Sequence, residues 1–167
     1  MKPYQKLQRF WEADTPSVVS ARPSEAEVAG LESRYGISVP ADFREYLLHC
    51  CPIRDVDLSD GTSWWQFDRI LNIPDEYRGF PEWCQDWTGI ENPAVLTNAD
   101  KYLFFADFAV WMWAWAIDCG DDENRGRIAA IGTRYDGFVA DSFDEFVERS
   151  IAGDYLVVGG CSKRRSD

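Results

Sequence analysis

Three tryptophans occupy alternate positions in the segment VWMWAWAID, which runs from Val110 to Asp118. Successive side chains of a β-strand point to opposite faces, so this spacing predicts that Trp111, Trp113 and Trp115 share one face. The residues between them are also apolar, which indicates that the other face is either covered or exposed as an adhesive surface. A large apolar layer must cover the three indoles, and we expect the protein's own helices to provide it rather than another molecule.

The composition of the chain favours a single folded domain. Its 167 residues are 46% hydrophobic and 15% aromatic, enough to bury a sizeable core. No basic segment followed by an apolar run opens the sequence, and the longest apolar stretch, residues 102–117, is interrupted by Asp107 and too short for a bilayer. We therefore expect a cytoplasmic protein with no membrane partner.

The five cysteines do not form a disulfide framework. Their number is odd and their spacing is irregular, at Cys50, Cys51, Cys84, Cys119 and Cys161. In a reducing compartment such residues behave as small buried hydrophobes, so we expect free thiols.

Four segments carry helix signals. Residues 4–12 place apolar side chains at spacings of three and four, which predicts a short amphipathic helix that needs a partner surface. Residues 24–36 begin with a serine–glutamate capping box and end at a glycine. A proline in the first turn begins the helix predicted for residues 40–50. A second capping box predicts a helix over residues 142–151.

Strand signals dominate the middle of the chain. Residues 64–74 form a β-like segment that a proline ends, and three further strands are predicted at residues 94–105, 109–118 and 126–132. The last two are joined by a short acidic turn, so they should pair antiparallel. Helices, then strands, then a helix favour the α+β class: a mainly antiparallel sheet with helices packed against it.

No motif assembles the residues that catalysis requires. His49 is the only histidine, and its neighbour Cys50 points elsewhere on the predicted helix; a pair with a more distant cysteine stays geometrically open. The sequence has neither a nucleophile elbow nor a glycine-rich phosphate loop. A site of two carboxylates also stays open, although no spacing singles one out. We predict a protein that is not an enzyme.

Metal binding has little support, and we predict no metal and no cofactor. The cysteines and the histidine lack zinc-site spacing. The segment from Asp55 resembles a calcium loop, but Gly61 comes one position late and Gln66 replaces the required glutamate. The acidic turn between the last two strands could hold a hard cation, yet such turns are commonly only solvated. Its carboxylates are Asp118, Asp121, Asp122 and Glu123.

Charge and tryptophan content point towards a protein partner. The net charge of −12 repels nucleic acid, so a basic partner is expected unless the charge only maintains solubility. Tryptophan is enriched at the desolvated centres of interfaces. Four tryptophans lie in segments rich in Gly, Pro and Asp, where a core role and a binding role fit equally, and we take them as interface candidates: Trp64, Trp65, Trp83 and Trp87.

The segment SEAEVAGLESRYGISVPADFREYLLHC resembles the opening signature of the SUKH superfamily, the Smi/Knr type domains. That signature is an acidic capped helix, a glycine–proline break and a helix of the form P-x-D-(F/Y)-R-E-(F/Y)-L. The matching residues are Ser24, Glu27, Leu31, Gly36, Pro40, Asp42, Phe43, Arg44, Tyr46 and Leu47. The segment VADSFDEFVERSIAG is similar to the closing helix of the same family.

The resemblance divides the chain into three parts. An N-terminal helix and loop would occupy residues 1–19, a SUKH-like domain residues 20–153, and a C-terminal tail residues 154–167. Many members carry a Gly-Asp pair before the tryptophan strand; here the region reads ADFAVW, which keeps Asp107 without the glycines.

Bacterial members of the superfamily are predominantly immunity proteins that neutralise toxin domains, often nucleases, while a fungal branch acts in cell-wall signalling. The resemblance therefore implies an immunity protein whose partner is a cognate, basic toxin domain. The four candidate tryptophans would supply contact area, and the four carboxylates of the acidic turn would occupy cationic subsites. The alternative is a regulatory scaffold or adaptor that binds a host protein or peptide; a carboxylate enzyme is the weakest hypothesis.

Overall fold

The computed structural model describes residues 1–16, 22–132 and 137–154. The α-helices are α1 (Pro3–Asp14), α2 (Glu25–Tyr35), α3 (Ala41–His49), α4 (Ile73–Arg78), α5 (Pro93–Thr97) and α6 (Phe143–Ile151). The strands are β1 (Val56–Asp57), β2 (Thr62–Trp64), β3 (Tyr102–Phe108), β4 (Trp113–Asp118), β5 (Ile128–Ile131) and β6 (Phe138–Ala140). Three 3₁₀ turns lie at Phe67–Arg69, Glu82–Cys84 and Ala99–Lys101.

The strands form one six-stranded sheet in the order β1-β2-β3-β4-β5-β6, and every neighbouring pair is antiparallel. Each strand therefore pairs with the strands next to it in the chain, although α4 and α5 lie between β2 and β3. The predicted α+β class, with a mainly antiparallel sheet and helices packed against it, is confirmed.

Helices α1, α2, α3 and α6 supply the apolar layer on one face of the sheet, which we call the first face. Trp64 lies in this layer, with its ring centroid 5.5 Å from Trp11 of α1 and 5.7 Å from Phe146 of α6. Trp115 from β4 packs against the same Phe146 ring, at 5.4 Å. Leu7 and Trp11 are fully buried, so the predicted N-terminal helix finds its partner surface within the same core.

The second face of the sheet is covered by α4, α5 and the segment between them. Phe104 from β3 and the small side chains of β4 and β5 share a core cluster with Ile73 of α4, Val95 of α5 and Ile90 from the segment between these helices. All of these residues are buried. Because both faces are covered, the central strands are apolar on both sides, which explains why the sequence of β4 shows so little polar alternation.

The helix ends follow their local signals, with one difference. Ser24 and Glu27 form the predicted capping box of α2, and Gly36 ends that helix with φ of 61°. At α6 the Ser142 hydroxyl accepts from the Glu145 amide at 3.1 Å. The predicted return hydrogen bond of this capping box, from the Ser142 amide to the Glu145 carboxylate, is wrong. The Glu145 carboxylate accepts from the Asp141 amide instead.

Two predicted strand segments are partly helical. Residues 94–97 belong to α5, because the Asn92 side chain caps that helix and Pro93 occupies its first turn. Pro74 likewise lies in the first turn of α4, capped by Asn72, so it starts a helix rather than ending a strand. The sequence could not decide between the two structures at Pro74 and Pro93, since a proline suits a helix start and a strand end equally.

The prediction that three tryptophans share one face is wrong for Trp111. Strand β4 begins only at Trp113, and the preceding Ala109, Val110 and Trp111 have φ of 48°, 55° and 63°. These left-handed residues turn the chain, so Trp111 packs on the second face while Trp113 and Trp115 face the first. Such a conformation is costly for non-glycine residues, above all for a β-branched valine.

The predicted tail, residues 154–167, lies outside the described residues except for Asp154, and so does the end of the predicted N-terminal loop. The described cysteines, Cys50, Cys51, Cys84 and Cys119, carry the expected free thiols; Cys161 lies outside the described residues. None of the helices within the described ranges has the length and apolar character that a membrane crossing requires.

Val110→Gly should stabilise the protein. Val110 is 97% exposed, so no packing is lost, and glycine adopts a positive φ without strain. We expect the free energy of unfolding in urea to rise by about 0.5–1 kcal/mol. The neighbouring Met112, exposed but not left-handed, provides the control: Met112→Gly should lower stability slightly. Equal effects of the two changes would contradict a strained turn.

Candidate partner-binding surface

Trp64 and Trp65 do not offer contact surface, which corrects their prediction as partner-binding residues. Trp64 is 2% exposed within the first-face layer, and Trp65 is fully buried. The Trp65 indole donates from Nε1 to Asp107 Oδ1 at 3.1 Å, and the Arg69 guanidinium lies 4.0 Å from its ring centroid. Adjacent residues of an extended chain face opposite sides, so the pair anchors both layers at once.

Trp83 lies in solvent. It is 87% exposed and belongs to the 3₁₀ turn between α4 and α5, whereas Trp87 is half-buried against the second-face core. The Gln85 side-chain amide donates from Nε2 to the Phe80 carbonyl at 2.7 Å, which connects this turn to the end of α4. The Phe80 ring packs edge-on against Trp111, with centroids 5.1 Å apart. The exposed Trp83 indole therefore belongs to a turn that is attached to the second-face core through Phe80.

Two further exposed apolar residues flank Trp111, the residue whose ring packs on Phe80. Val110 is 97% and Met112 61% exposed, and both flank Trp111. Trp83 follows Phe80 by three residues, a span of at most about 10 Å. We call Phe80, Trp83, Val110, Trp111 and Met112 the aromatic edge. Val110 and Met112 were not predicted as contact residues, although their apolar character in the sequence indicated either burial or an adhesive surface.

The acidic turn between β4 and β5 divides into a buried and an exposed part. Asp118 is fully buried, Asp122 is half-buried, and Asp121 and Glu123 are exposed. The burial of Asp118 corrects its prediction as a direct contact residue. Asp118 Oδ1 accepts from the Gly120 amide at 2.7 Å, which ties the carboxylate to the turn's own backbone.

The structure brings Asp118 and Asp122 together. A Cβ atom on Gly120 would lie 3.1 Å from Asp118 Oδ1 and 3.2 Å from Asp122 Oδ2, so the glycine separates two neighbouring carboxylates. Burial, together with the adjacent Asp122 carboxylate, raises the pKa of Asp118 to about 6, against the hydrogen bond from the Gly120 amide. Tyr102, the β3 residue opposite Asp118, has its pKa raised for the same main reason.

The aromatic edge and the acidic turn lie at opposite ends of β4. Trp113 and Asp118 bound this strand, and five steps separate them by roughly 17 Å. Strand alternation puts Asp118 on the second face, the side on which Trp111 packs. A standard interface covers about 800 Å² of each partner, so one partner could contact both regions.

His49 and the buried cysteines, which we considered for catalysis, pack against other parts of the protein. The His49 ring stacks on Tyr4, with centroids 5.4 Å apart. Burial raises the pKa of Cys50 to about 12 and raises the pKa values of Cys51 and Cys119 as well, so these thiols stay protonated at neutral pH. Within the described ranges, no group of three or more His, Cys, Asp or Glu side chains is placed to hold a metal ion.

Residues 22–149 match the model of the SMI1/KNR4 family (SUKH-1). The chain belongs to this family. The SMI1/KNR4 match runs from before α2 into α6, and so includes both the aromatic edge and the acidic turn, while α1 precedes it. No curated protein matches the chain in sequence.

Asp118→Asn should stabilise the protein at neutral pH. A folded-state pKa above the usual 3.8 means that the folded protein binds the proton more tightly, so stability falls as pH rises from about 4 to 6 and stays reduced above. Asparagine removes this loss and keeps the Gly120 hydrogen bond. We expect a gain of about 1–2 kcal/mol in the free energy of unfolding at pH 8, and almost none at pH 4.

The exposed Asp121→Asn is the matched control for this measurement and should change stability little at either pH. Urea denaturation of both variants and of the parent protein at pH 4, 6 and 8 gives the comparison. A loss of stability in Asp118→Asn at pH 8 would show that its charge is compensated in the fold.

Proposed function

We propose that this SMI1/KNR4 protein is an immunity protein, which binds and neutralises a cognate bacterial toxin domain without catalysis. The observation that carries the proposal is the 87% exposure of Trp83 in a chain whose other seven tryptophans are buried or half-buried. Exposure of an indole to water is unfavourable, and burial of Trp83 against a partner's surface would recover that free energy.

The exposed apolar residues of the aromatic edge support its role as a contact surface. Val110 and Met112 are exposed next to Trp111 in the chain, and the Trp111 ring packs on Phe80, three residues before the exposed Trp83. Exposed apolar side chains grouped in this way mark interaction sites more often than single exposed residues do. The edge would form the desolvated centre of an interface, with polar residues around it.

The charge of the protein supports a basic partner. The net charge is −12, and the exposed Asp121 and Glu123 project from the acidic turn. Complementary charge accelerates encounter and fixes the orientation of two proteins, while buried aromatic contacts slow dissociation. A toxin that acts on nucleic acid carries the positive surface that this arrangement would meet.

The proposed function predicts rescue from toxicity. Co-expression with the protein encoded next to this chain in its genome should restore growth of cells that the neighbour alone inhibits, and the two should co-elute in a fixed ratio from a sizing column. If the neighbour is harmless, or stays toxic without binding, the immunity proposal fails for that pair. A harmless neighbour that still binds would favour the regulatory scaffold or adaptor.

Trp83→Ala should weaken the complex by about 30-fold, because truncation of a central tryptophan costs about 2 kcal/mol or more. Folding should be unaffected, since the side chain lies in solvent. Ile53→Ala, at a residue that is 53% exposed and lies outside the aromatic edge, is the control and should leave the dissociation constant unchanged. Calorimetric titration measures both. Unchanged affinity in Trp83→Ala would remove the edge from the interface.

A further inference from the structure

Helix α1 lies against α3 and α6 and covers an aromatic part of the first-face core. Its apolar residues follow the spacing of a helix that binds in a groove: Tyr4 is partly buried, and Leu7 and Trp11 are fully buried. The Trp11 ring centroid lies 5.5 Å from that of Trp64 and 6.3 Å from that of Tyr46. We call the surface under α1 the α1 groove, and Tyr46 and Trp64 form its floor.

The charges of α1 do not suit an isolated helix. Lys6 lies in its first turn and Glu12 and Asp14 lie in its last turn, so each charge is repelled by the nearer end of the helix dipole. Helices α2 and α6 have the opposite arrangement, with acidic first turns and with Arg34 and Arg149 in their last turns. A helix as short as these 12 residues is marginal in water, so α1 should be helical only while it is docked.

The two lysines of α1 find their partners on the helices beside it. Lys2 pairs with Glu45 of α3, and Lys6 pairs with Glu148 of α6 at 2.6 Å. Burial and the charges of three neighbouring carboxylates raise the pKa of Asp144, whereas Lys2 lowers it. The α1 groove therefore has an acidic rim to which α1 brings two positive charges. The rim consists of Asp42, Glu45, Asp144 and Glu148.

The docking of α1 leaves two buried polar groups unsatisfied. Among the described residues, neither Trp11 Nε1 nor the Tyr46 hydroxyl has a hydrogen-bond partner, although both side chains are fully buried. A buried polar group without a partner is destabilising, and undocking of α1 would return the Trp11 indole to water. The two ion pairs with the rim are exposed to solvent, so they offset little of this cost.

The rest of the first-face core is connected without α1. Phe143 and Phe146 of α6 pack on the Phe105 ring of β3 with centroids 5.3 and 5.2 Å away, and Phe43 of α3 packs on Phe143 at 5.0 Å. The SMI1/KNR4 match begins at residue 22, after α1. The sheet, α3 and α6 therefore hold one another through contacts that do not include α1.

We propose that α1 is a releasable helix that covers a binding surface for a basic amphipathic helix. Release unfolds α1 alone and uncovers the aromatic floor and the acidic rim of the α1 groove. A helix that binds there places apolar side chains at spacings of three and four on the floor, and lysine or arginine side chains against the rim. The α1 groove shares no residue with the aromatic edge, so this inference does not depend on the proposed function.

Hydrogen exchange of the full chain tests the release. Relative to their rates in the unfolded chain, the amides of residues 7–14 should exchange at least about tenfold faster than those of β3 and β4, and with a weaker dependence on urea. The residues of α1 should share one opening free energy. The same urea dependence in α1 and in the strands, or a gradient of rates along α1 that indicates fraying, would overturn the release.

Two variants separate release of α1 from global unfolding. Val95→Ala removes buried contacts on the second face, so it should accelerate exchange in β3 and β4 roughly tenfold and leave exchange in α1 unchanged. Leu7→Ala should accelerate α1 and the strands by one common factor, because it destabilises the docked state from which both openings start. If Val95→Ala accelerates α1 as much as the strands, α1 opens only when the whole protein unfolds.

A peptide in trans tests the α1 groove. Leu7→Ala combined with Trp11→Ala should leave the full chain folded with α1 undocked. This variant should bind a free peptide of residues 1–16 in the parent sequence with a dissociation constant on the order of 10–100 μM. The parent chain should bind the same peptide more weakly, because its own α1 competes in cis.

The control peptide carries Lys2→Glu and Lys6→Glu, which favour the helix dipole but are repelled by the rim. It should bind the double variant at least about tenfold more weakly than the parent peptide does. Three results would overturn the binding surface: loss of cooperative unfolding in the double variant, no binding of the parent peptide up to about 1 mM, or equal binding of the two peptides.

Discussion

The buried carboxylate of Asp107 holds together the elements on which the rest of the structure depends. One oxygen accepts from the Trp65 indole at 3.1 Å and the other from the Trp111 amide at 2.6 Å. This side chain thereby connects the residue after β2, the end of β3 and the left-handed turn. Both of its oxygens are hydrogen-bonded, which makes a charge acceptable at a site that is only 3% exposed.

The aromatic edge is a consequence of that connection. The turn that Asp107 fixes sends Trp111 to the second face, where it supports Phe80, and leaves Val110 and Met112 in solvent. Trp111 is fixed a second time through its indole, which donates to Glu76 Oε1 at 3.1 Å. Backbone strain of this kind persists only where surrounding contacts over-determine it, and such sites are commonly functional.

The protein treats its negative charges in two ways. Asp75 accepts from the Arg34 and Arg78 guanidinium groups and from the Tyr35 hydroxyl, so it joins α2 to α4. None of the ion pairs among the described residues includes Asp118, Asp121, Asp122 or Glu123 of the acidic turn. Some of the acidic residues behind the net charge of −12 therefore join elements of the fold through ion pairs, whereas those of the acidic turn do not.

Local signals in the sequence were sufficient for the fold class and for most helix ends. The capping box at Ser24 and the left-handed Gly36 act within a few residues, so sequence spacing captures them. The placement of Trp111 depended instead on a turn that contains no glycine, and on Asp107, whose partners lie on different elements. Period-two reasoning is sound only within a strand, and β4 starts two residues later than Trp111.

The candidate site was predicted less completely for a related reason. Trp64, Trp65 and Trp83 all lie in segments with turn residues, and only tertiary packing separates the buried pair from the exposed one. Asp118 and Asp121 are three residues apart in one acidic run, yet the first lies at the end of a covered strand and the second lies in solvent. Composition identified the acidic run, whereas burial assigned its members different roles.

The contact between α1 and α6 joins segments from opposite ends of the sequence. Lys6 of α1 pairs with Glu148 of α6 at 2.6 Å, and Trp11 and Phe146 both pack on Trp64. During synthesis the ribosome releases α1 and β2 long before α6, so the part of the Trp64 indole that Phe146 covers stays exposed until residues 143–151 emerge. The first-face core therefore closes late, and the nascent chain exposes an aromatic surface that the finished protein hides.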